Sequence, residues 1–588
     1  MFGKIRYIDD ITAVVEINKE NMVVPNLMNL HVIFETDDLK LLGEVKKVDE
    51  ETVHIDLMGQ FVGERFIAGT IKKPTLDSKV RIINDDELDI LLGKDDAKSI
   101  YLGHSAIYPN KNVYIDINQF FSNHASIFGN TGSGKSCSVA RIVQNIFLNK
   151  KFLAYNANLF IFDAYGEYKN AFKVLDKFNQ NYQYKFITSN PVEPGDVQLN
   201  IPVFLLTIDD ICLLLQADNH HQYTIVERML KLAKLFSKDD DETKKLKNHL
   251  IAKAIMSVLF SNQNAAGKKN DIFTIIADCS TPEFNVNTDI QGIGYTRKFS
   301  ECFGIDRNGE FGESVLLNEY LLKFIDDELE AKIDVPQDAF YTLDDLERAL
   351  SFTLIGDGFL GNRIMQDNAV IMKVRLHSLN NSSNRKFFSF REYITLENYI
   401  SSLIVNNNRR SQIININLED VDDNLAKTIV KIFSKMIFDF AKKRRVRAAI
   451  PFHLFIEEAH RYVVNDNDHF LLGYNIFERI AKEGRKYGVM LDLVSQRPVE
   501  ISETVIAQMS NFCILKMTHP RDLDYINKML PNISGDIIEK LTSLQSGTMV
   551  AFGTAFKIPV IVKMDMPDPA PYSSNCDVVF RWKPVQKQ

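Results

Sequence analysis

The stretch SIFGNTGSGKSCSVARIVQNIF, residues 126–147, decides the fold. From Gly129 to Ser136 it meets the pattern G-x-x-x-x-G-K-[ST] at every fixed position. In such a loop glycines let the backbone turn its N–H groups inward around a β-phosphate, the lysine reaches the β and γ oxygens, and the hydroxyl ligates Mg²⁺. Gly129, Asn130, Thr131, Gly132, Ser133, Gly134, Lys135, Ser136 and Cys137 are therefore assigned to ATP, with Ser136 also on the Mg²⁺. The flanks agree: ASIF at 125–128 reads as a strand, and Val139, Ile142, Val143, Ile146 and Phe147 follow at helical spacing. A helix starting there points its positive end at the phosphates.

Outward from the loop the texture is that of an α/β protein. Buried-looking strands such as NLFIFDAYGEY, QIININLED, FHLFIEEAH, VMLDLVSQRP and NFCILKM alternate with helical patterns, which predicts a mostly parallel sheet covered on both faces. Residues 1–100 differ: short alternating runs, TAVVEI, LGEVKKV and TVHIDLMG, broken every ten or so residues, predict a small β-barrel. The core is expected at 101–205 and 346–565, interrupted by a helical insertion at 206–345. A proline-rich tail follows at 566–588, carrying the only tryptophan, Trp582, and serving as an arm for a neighbouring subunit or as a frayed end.

Hydrolysis needs a second site. In PFHLFIEEAHRY an apolar strand ends in Glu457 and Glu458. On a strand beside the P-loop strand, Glu457 would face the Mg²⁺ and Glu458 would polarise the attacking water. A third strand, VMLDLVSQRP, ends in Ser495 and Gln496, polar tips suited to sensing a γ-phosphate.

GNTGSGKS, FDAYGEY, FIEEAHRY, KEGRKYGV and LVSQRP occur in the order seen in the HerA branch of the HerA/FtsK superfamily of hexameric DNA-translocating ATPases, which the chain resembles over most of residues 1–565. The resemblance implies a RecA-like P-loop ATPase core, an N-terminal barrel and a helical insertion. It implies that Lys135 and Ser136 bind nucleotide and metal, that Glu457 and Glu458 form the acidic site, and that Gln496 is the sensor. Arg485 is similar to the position that presents an arginine finger to a neighbouring site, a role that Arg479 or Lys486 can share. Asp163 and Glu167, just past a strand end, support the nucleotide or the subunit contact, or else serve as turn and cap residues.

The implied activity is an ATP-hydrolysing homo-hexamer that moves double-stranded DNA through its pore. It would act with a separate effector, a nuclease or a sirtuin-like NAD hydrolase, in phage defence or DNA end processing. The alternative is a ring that activates a partner as an ATP-regulated scaffold without processive movement. Net charge is −8 and the pI about 5.9, so any DNA site is local; NNSSNRKF at 380–387 and RYVVNDNDHF at 461–470 are the pore candidates. No run of about 18 uncharged apolar residues exists, and the N-terminus reads as a strand rather than a signal peptide. A cytoplasmic protein without a membrane partner is expected. The six cysteines are far apart and are expected to be reduced core thiols.

Overall fold

The computed structural model describes residues 2–18, 26–307, 309–326, 328–329, 338–356, 363–406, 408–529, 535–572 and 578–582. A twelve-stranded sheet forms its centre, in the order Val197–Gln198, Tyr184–Thr188, Ile413–Asn417, Leu159–Asp163, Phe452–Ile456, Val489–Ser495, Ala125–Phe128, Asn511–Leu515, Thr548–Gly553, Val560–Lys563, Ser99–Ser105 and Asn112–Asp116. The first eight run parallel and the last four antiparallel, so the sheet is mixed. The parallel strands LFIFD, IININ, FHLFI and NFCIL are buried at every position, as strands covered on both faces must be. Helix Lys135–Leu148 covers one face through Val139, Ile142, Val143 and Phe147. The other face carries Asp423–Lys442, which buries Ile429, Phe433, Met436 and Ile437.

The N-terminal region is an antiparallel, barrel-like sheet in the order Phe2–Ile8, Thr12–Ile17, Thr52–Val62, Lys40–Val48, His31–Glu35 and Lys79–Ile82, with Arg65–Ala68 paired to Thr52–Val62. Alternation fills its interior with Ala13, Val15, Val32, Phe34, Val45 and Ile55. It is fastened to the core rather than appended to it. Ile33, Leu42 and Phe61 join the apolar cluster of Ile127 and Val139, and Lys540 pairs with Glu44 at 3.1 Å.

Among the described residues the chain from Ile208 to Ile404 is mostly helical, broken by the hairpin Asp289–Gly292 with Tyr295–Lys298, and the central sheet resumes only at Ile413, so helices continue past the expected end at 345. Helix Leu343–Gly356 packs on His220–Phe236, Asp241–Leu259 and Ala265–Asp278, and Arg363–Asn381 packs on it in turn. Their apolar spacing continues that of the preceding helices, so the pattern carried no boundary. The start of the tail packs on the core of its own chain: Gln144 Nε2 donates to Pro569 O at 2.9 Å, Asn170 Nδ2 to Ala570 O at 2.8 Å, and Tyr572 N to Glu167 O at 2.8 Å. Trp582 is exposed. Cys212, Cys279, Cys302 and Cys513 are buried thiols, Cys137 is half-buried in the P-loop helix, and Cys576 lies outside the described residues. No helix among the described residues is long and apolar enough to cross a membrane.

Candidate active site

The P-loop is clamped on both sides before any ligand is considered. Where strand Ala125–Phe128 ends, Gly129 N donates to Ser495 O at 3.2 Å and Asn130 N to Lys516 O at 3.0 Å. Across the loop, Gly547 N donates to Ser133 O at 2.9 Å and Ser546 Oγ to Gly132 O at 3.1 Å. Gly132 and Gly134 sit at φ +75° and +93°, where a side chain is disfavoured. A Cβ on Gly129 would lie 2.6 Å from Ser133 Oγ. No side chain caps the helix that Gly134 opens. Lys135 and Ser136 begin that helix, and Lys135 is buried.

The acidic strand is not beside the P-loop strand, as expected from the sequence, but one strand removed. Val489–Ser495 lies between them. Parallel register still brings the three strand ends together, since strands about 4.8 Å apart place second neighbours about 10 Å away. Glu458 receives both sides of the site: Lys135 Nζ lies 3.3 Å from its Oε1, and Gln496 Nε2 donates to the same oxygen at 3.4 Å. Thr131 Oγ1 donates to Gln496 Oε1 at 2.6 Å, so Gln496 bridges the phosphate loop and the carboxylate. Glu458 is held at φ +48°, a left-handed backbone that costs a non-glycine residue about 1–2 kcal/mol. Its direction is thus fixed by the surrounding contacts.

Glu457 is buried and its Oε2 has no hydrogen-bond partner among the described residues. Burial pushes its carboxyl up to about 8 against the lowering effect of Lys135, with Asp163 adding to the rise. A deeply buried carboxylate oxygen without a partner, beside a glycine cradle, fits a site completed by a Mg²⁺–nucleotide, with Ser136 and Glu457 on the metal side.

The sequence reading did not single out His460. Its Nδ1 lies 3.2 Å from Glu458 Oε2 and 3.1 Å from Ser495 Oγ, and burial lowers its pKa. The signal was its spacing, two residues past Glu458 at the end of the same strand. Asp163 takes the turn role rather than the nucleotide role: it accepts from Glu167 N at 3.0 Å, Tyr168 N at 2.9 Å and Asn415 Nδ2 at 3.2 Å. Arg485 is not brought to this site. It sits in the last turn of helix Ile476–Tyr487, exposed, donating to Asn123 Oδ1 at 2.8 Å at the opposite edge of the sheet. Arg479 lies over the rings of Phe438 and Tyr474, while Lys486 is exposed. Of the pore candidates, 380–387 has Arg385 on Asp344 at 2.6 Å and Phe387 buried. In 461–470, Asp468 is held by Lys431 at 2.5 Å and Arg461 by Asp423.

Residues 100–285 match the family "Helicase HerA, central domain". The DNA double-strand break repair helicase HerA of Saccharolobus solfataricus is 33% identical over 231 residues, 37% of this chain and 46% of that protein. Over residues 100–285 this chain is thus similar to the central domain of HerA helicases. Over greater length, the probable DNA double-strand break repair helicase HerA of Methanocaldococcus jannaschii is 24% identical over 556 residues, 93% of this chain and 92% of that one. The alignment with the Saccharolobus relative spans less than half of that relative's length. VirB4 of Thermoanaerobacter pseudethanolicus aligns over 82% of this chain and 99% of its own at 12% identity, with a TM-score of 0.46. The family match takes in the P-loop strand, loop and helix and the Asp163 turn. Glu457, Glu458, Arg485 and Gln496 lie beyond it.

Proposed function

We propose that this chain hydrolyses ATP and uses the cycle to move double-stranded DNA, working as a homo-hexameric ring beside a separate nuclease or sirtuin-like NAD hydrolase in phage defence or DNA end processing. The observation that carries the reading is the convergence of Lys135, Glu457, Glu458 and Gln496 from three strand ends at one edge of the sheet, the first three of them buried. The repair helicases named above support the DNA substrate.

Lys135 binds the β and γ oxygens and releases Glu458 when it does so. Ser136 and Glu457 hold the metal, which supplies charge neutralisation across the phosphates when bound. Glu458, freed of Lys135 and still held by Gln496, orients water and takes its proton. Gln496 reports phosphate occupancy through Thr131. Arg485 starts at the far edge of its own sheet, and a seven-residue strand spans about 23 Å. It therefore serves a neighbouring subunit's nucleotide, where a guanidinium is worth about 10³–10⁵ in rate.

Steady-state ATP turnover with and without duplex DNA tests this reading. Turnover that rises several-fold with duplex and vanishes in Lys135→Ala is the expected result. Turnover indifferent to DNA but altered by a partner protein would replace the motor with a scaffold.

A further inference from the structure

The segment joining helix Asp423–Lys442 to strand Phe452–Ile456 reads KKRRVR at 442–447, five cations in six residues of a chain whose net charge is −8. Parallel strands share one direction, so segments that precede them gather on one edge. This segment precedes the acidic strand, Arg409 precedes Ile413–Asn417, and Lys486 precedes Val489–Ser495, all on the edge away from the P-loop. Three strand spacings separate the outer two, about 14 Å of edge.

The cluster is held in place by its own fold. Phe452 N donates to Gly488 O at 2.7 Å, and a Cβ on Gly488, at φ +81°, would lie 3.0 Å from Ala448 Cα, so a larger residue would be strained and crowded where the two segments touch. Ala448 takes φ +52° to make that turn. The Tyr487 ring has Lys442 Nζ and the Arg447 guanidinium each 5.8 Å from its centroid. Carboxylates nearby are few: Glu397 lies 3.7 Å from Arg444, and half-buried Asp439 feels Lys443. Lys443, Arg445, Arg447 and Lys486 are exposed and make no ion pair among the described residues.

We propose that this basic edge docks the phosphate backbone of duplex DNA, a proposal that rests on the motor reading above. A single metal-bound nucleotide carries about two negative charges, which Lys135 and one trans guanidinium already meet. The surplus here calls for a phosphate polymer. Duplex DNA presents one charge per about 1.7 Å of axis, and arginine matches phosphate oxygens with a fork of donors. The two pore candidates offer less, because Arg385 and Arg461 are already paired with carboxylates.

The test is fluorescence anisotropy of a labelled duplex of about 30 base pairs titrated with full-length protein across a salt series. The combined variant Lys443→Ala, Arg445→Ala, Arg447→Ala is expected to weaken binding about 10-fold or more at 0.15 M salt and to lower the slope of log K on log salt by about 2 to 3. Binding of a fluorescent ATP analogue and the assembly mass should stay at wild-type values. The swap Lys443→Arg, Arg445→Lys, Arg447→Lys should keep the slope. Unchanged affinity and slope, with wild type binding duplex, would overturn the proposal while leaving the motor reading intact. Loss of assembly mass, or loss of protein-partner capture with DNA binding unchanged, would reassign the edge to protein contacts and also overturn it. Wild type that binds no duplex at any salt would sink the motor reading, and this proposal with it.

Discussion

At the scale of single residues, the pair Lys135–Glu458 is the clearest device. Both are buried, and a buried ion pair loses hydration that only good geometry restores. Removing Lys135 leaves Glu458 buried with one donor fewer and strips the phosphates of their nearest full charge. Lys135→Ala is therefore expected to lower turnover about 100-fold or more, measured as phosphate release. Glu458→Gln keeps the shape but loses the base: ATP binding should survive while hydrolysis falls by about 10² or more. If Glu457→Gln stalls hydrolysis with Mg²⁺ affinity unchanged, and Glu458→Gln instead weakens Mg²⁺, the two roles are exchanged. The P-loop, both glutamates and Gln496 were legible in the sequence because each sits at a fixed distance from a short apolar run. The bridge from Thr131 through Gln496 to Glu458 was not, since it joins positions 365 residues apart. The basic run 442–447 was in plain view, and only its place on the sheet edge gives it meaning.

At the scale of elements, the junction between the barrel-like sheet and the core turns on His31. Its backbone N donates to Tyr108 Oη at 2.8 Å, and the Tyr108 hydroxyl, 2.7 Å from Nδ1, donates to the neutral ring. Burial lowers the imidazole to about 4, below its unfolded value near 6.5. The folded state thus holds fewer protons than the unfolded state between those values. Stability from this site is complete above about pH 6.5 and is lost as pH falls toward 4. The midpoint of thermal unfolding should drop between pH 6.5 and 5, and His31→Gln should flatten that drop. A wild-type midpoint that is level across the interval would show that the ring is not buried neutral. The barrel-like sheet itself was readable from alternation, and the core strands from their unbroken apolar runs. Strand order was not readable: no local pattern says that Val489–Ser495 enters between the acidic strand and the P-loop strand. The end of the helical region escaped for a related reason, since helices at 343–381 share the apolar spacing of those before them.

At the scale of the whole molecule, the P-loop and Arg485 sit at opposite edges of one sheet, and under the proposed trans role a second copy would complete the site. Mixing Arg485→Ala with Glu458→Gln subunits should restore ATP turnover above either alone, because some interfaces then pair an intact donor with an intact receiver. Mixed assemblies confirmed by mass that stay inactive would remove the trans role or require every site to be intact. The central claim, that the cycle moves the chain along duplex DNA, is tested most directly by triplex displacement, in which a translocating protein strips a third strand from a duplex track. The account predicts ATP-dependent displacement by the wild type and none by Lys135→Ala or Glu458→Gln. Wild-type protein that hydrolyses ATP on the same track, with its partner present, and leaves the third strand bound would contradict it.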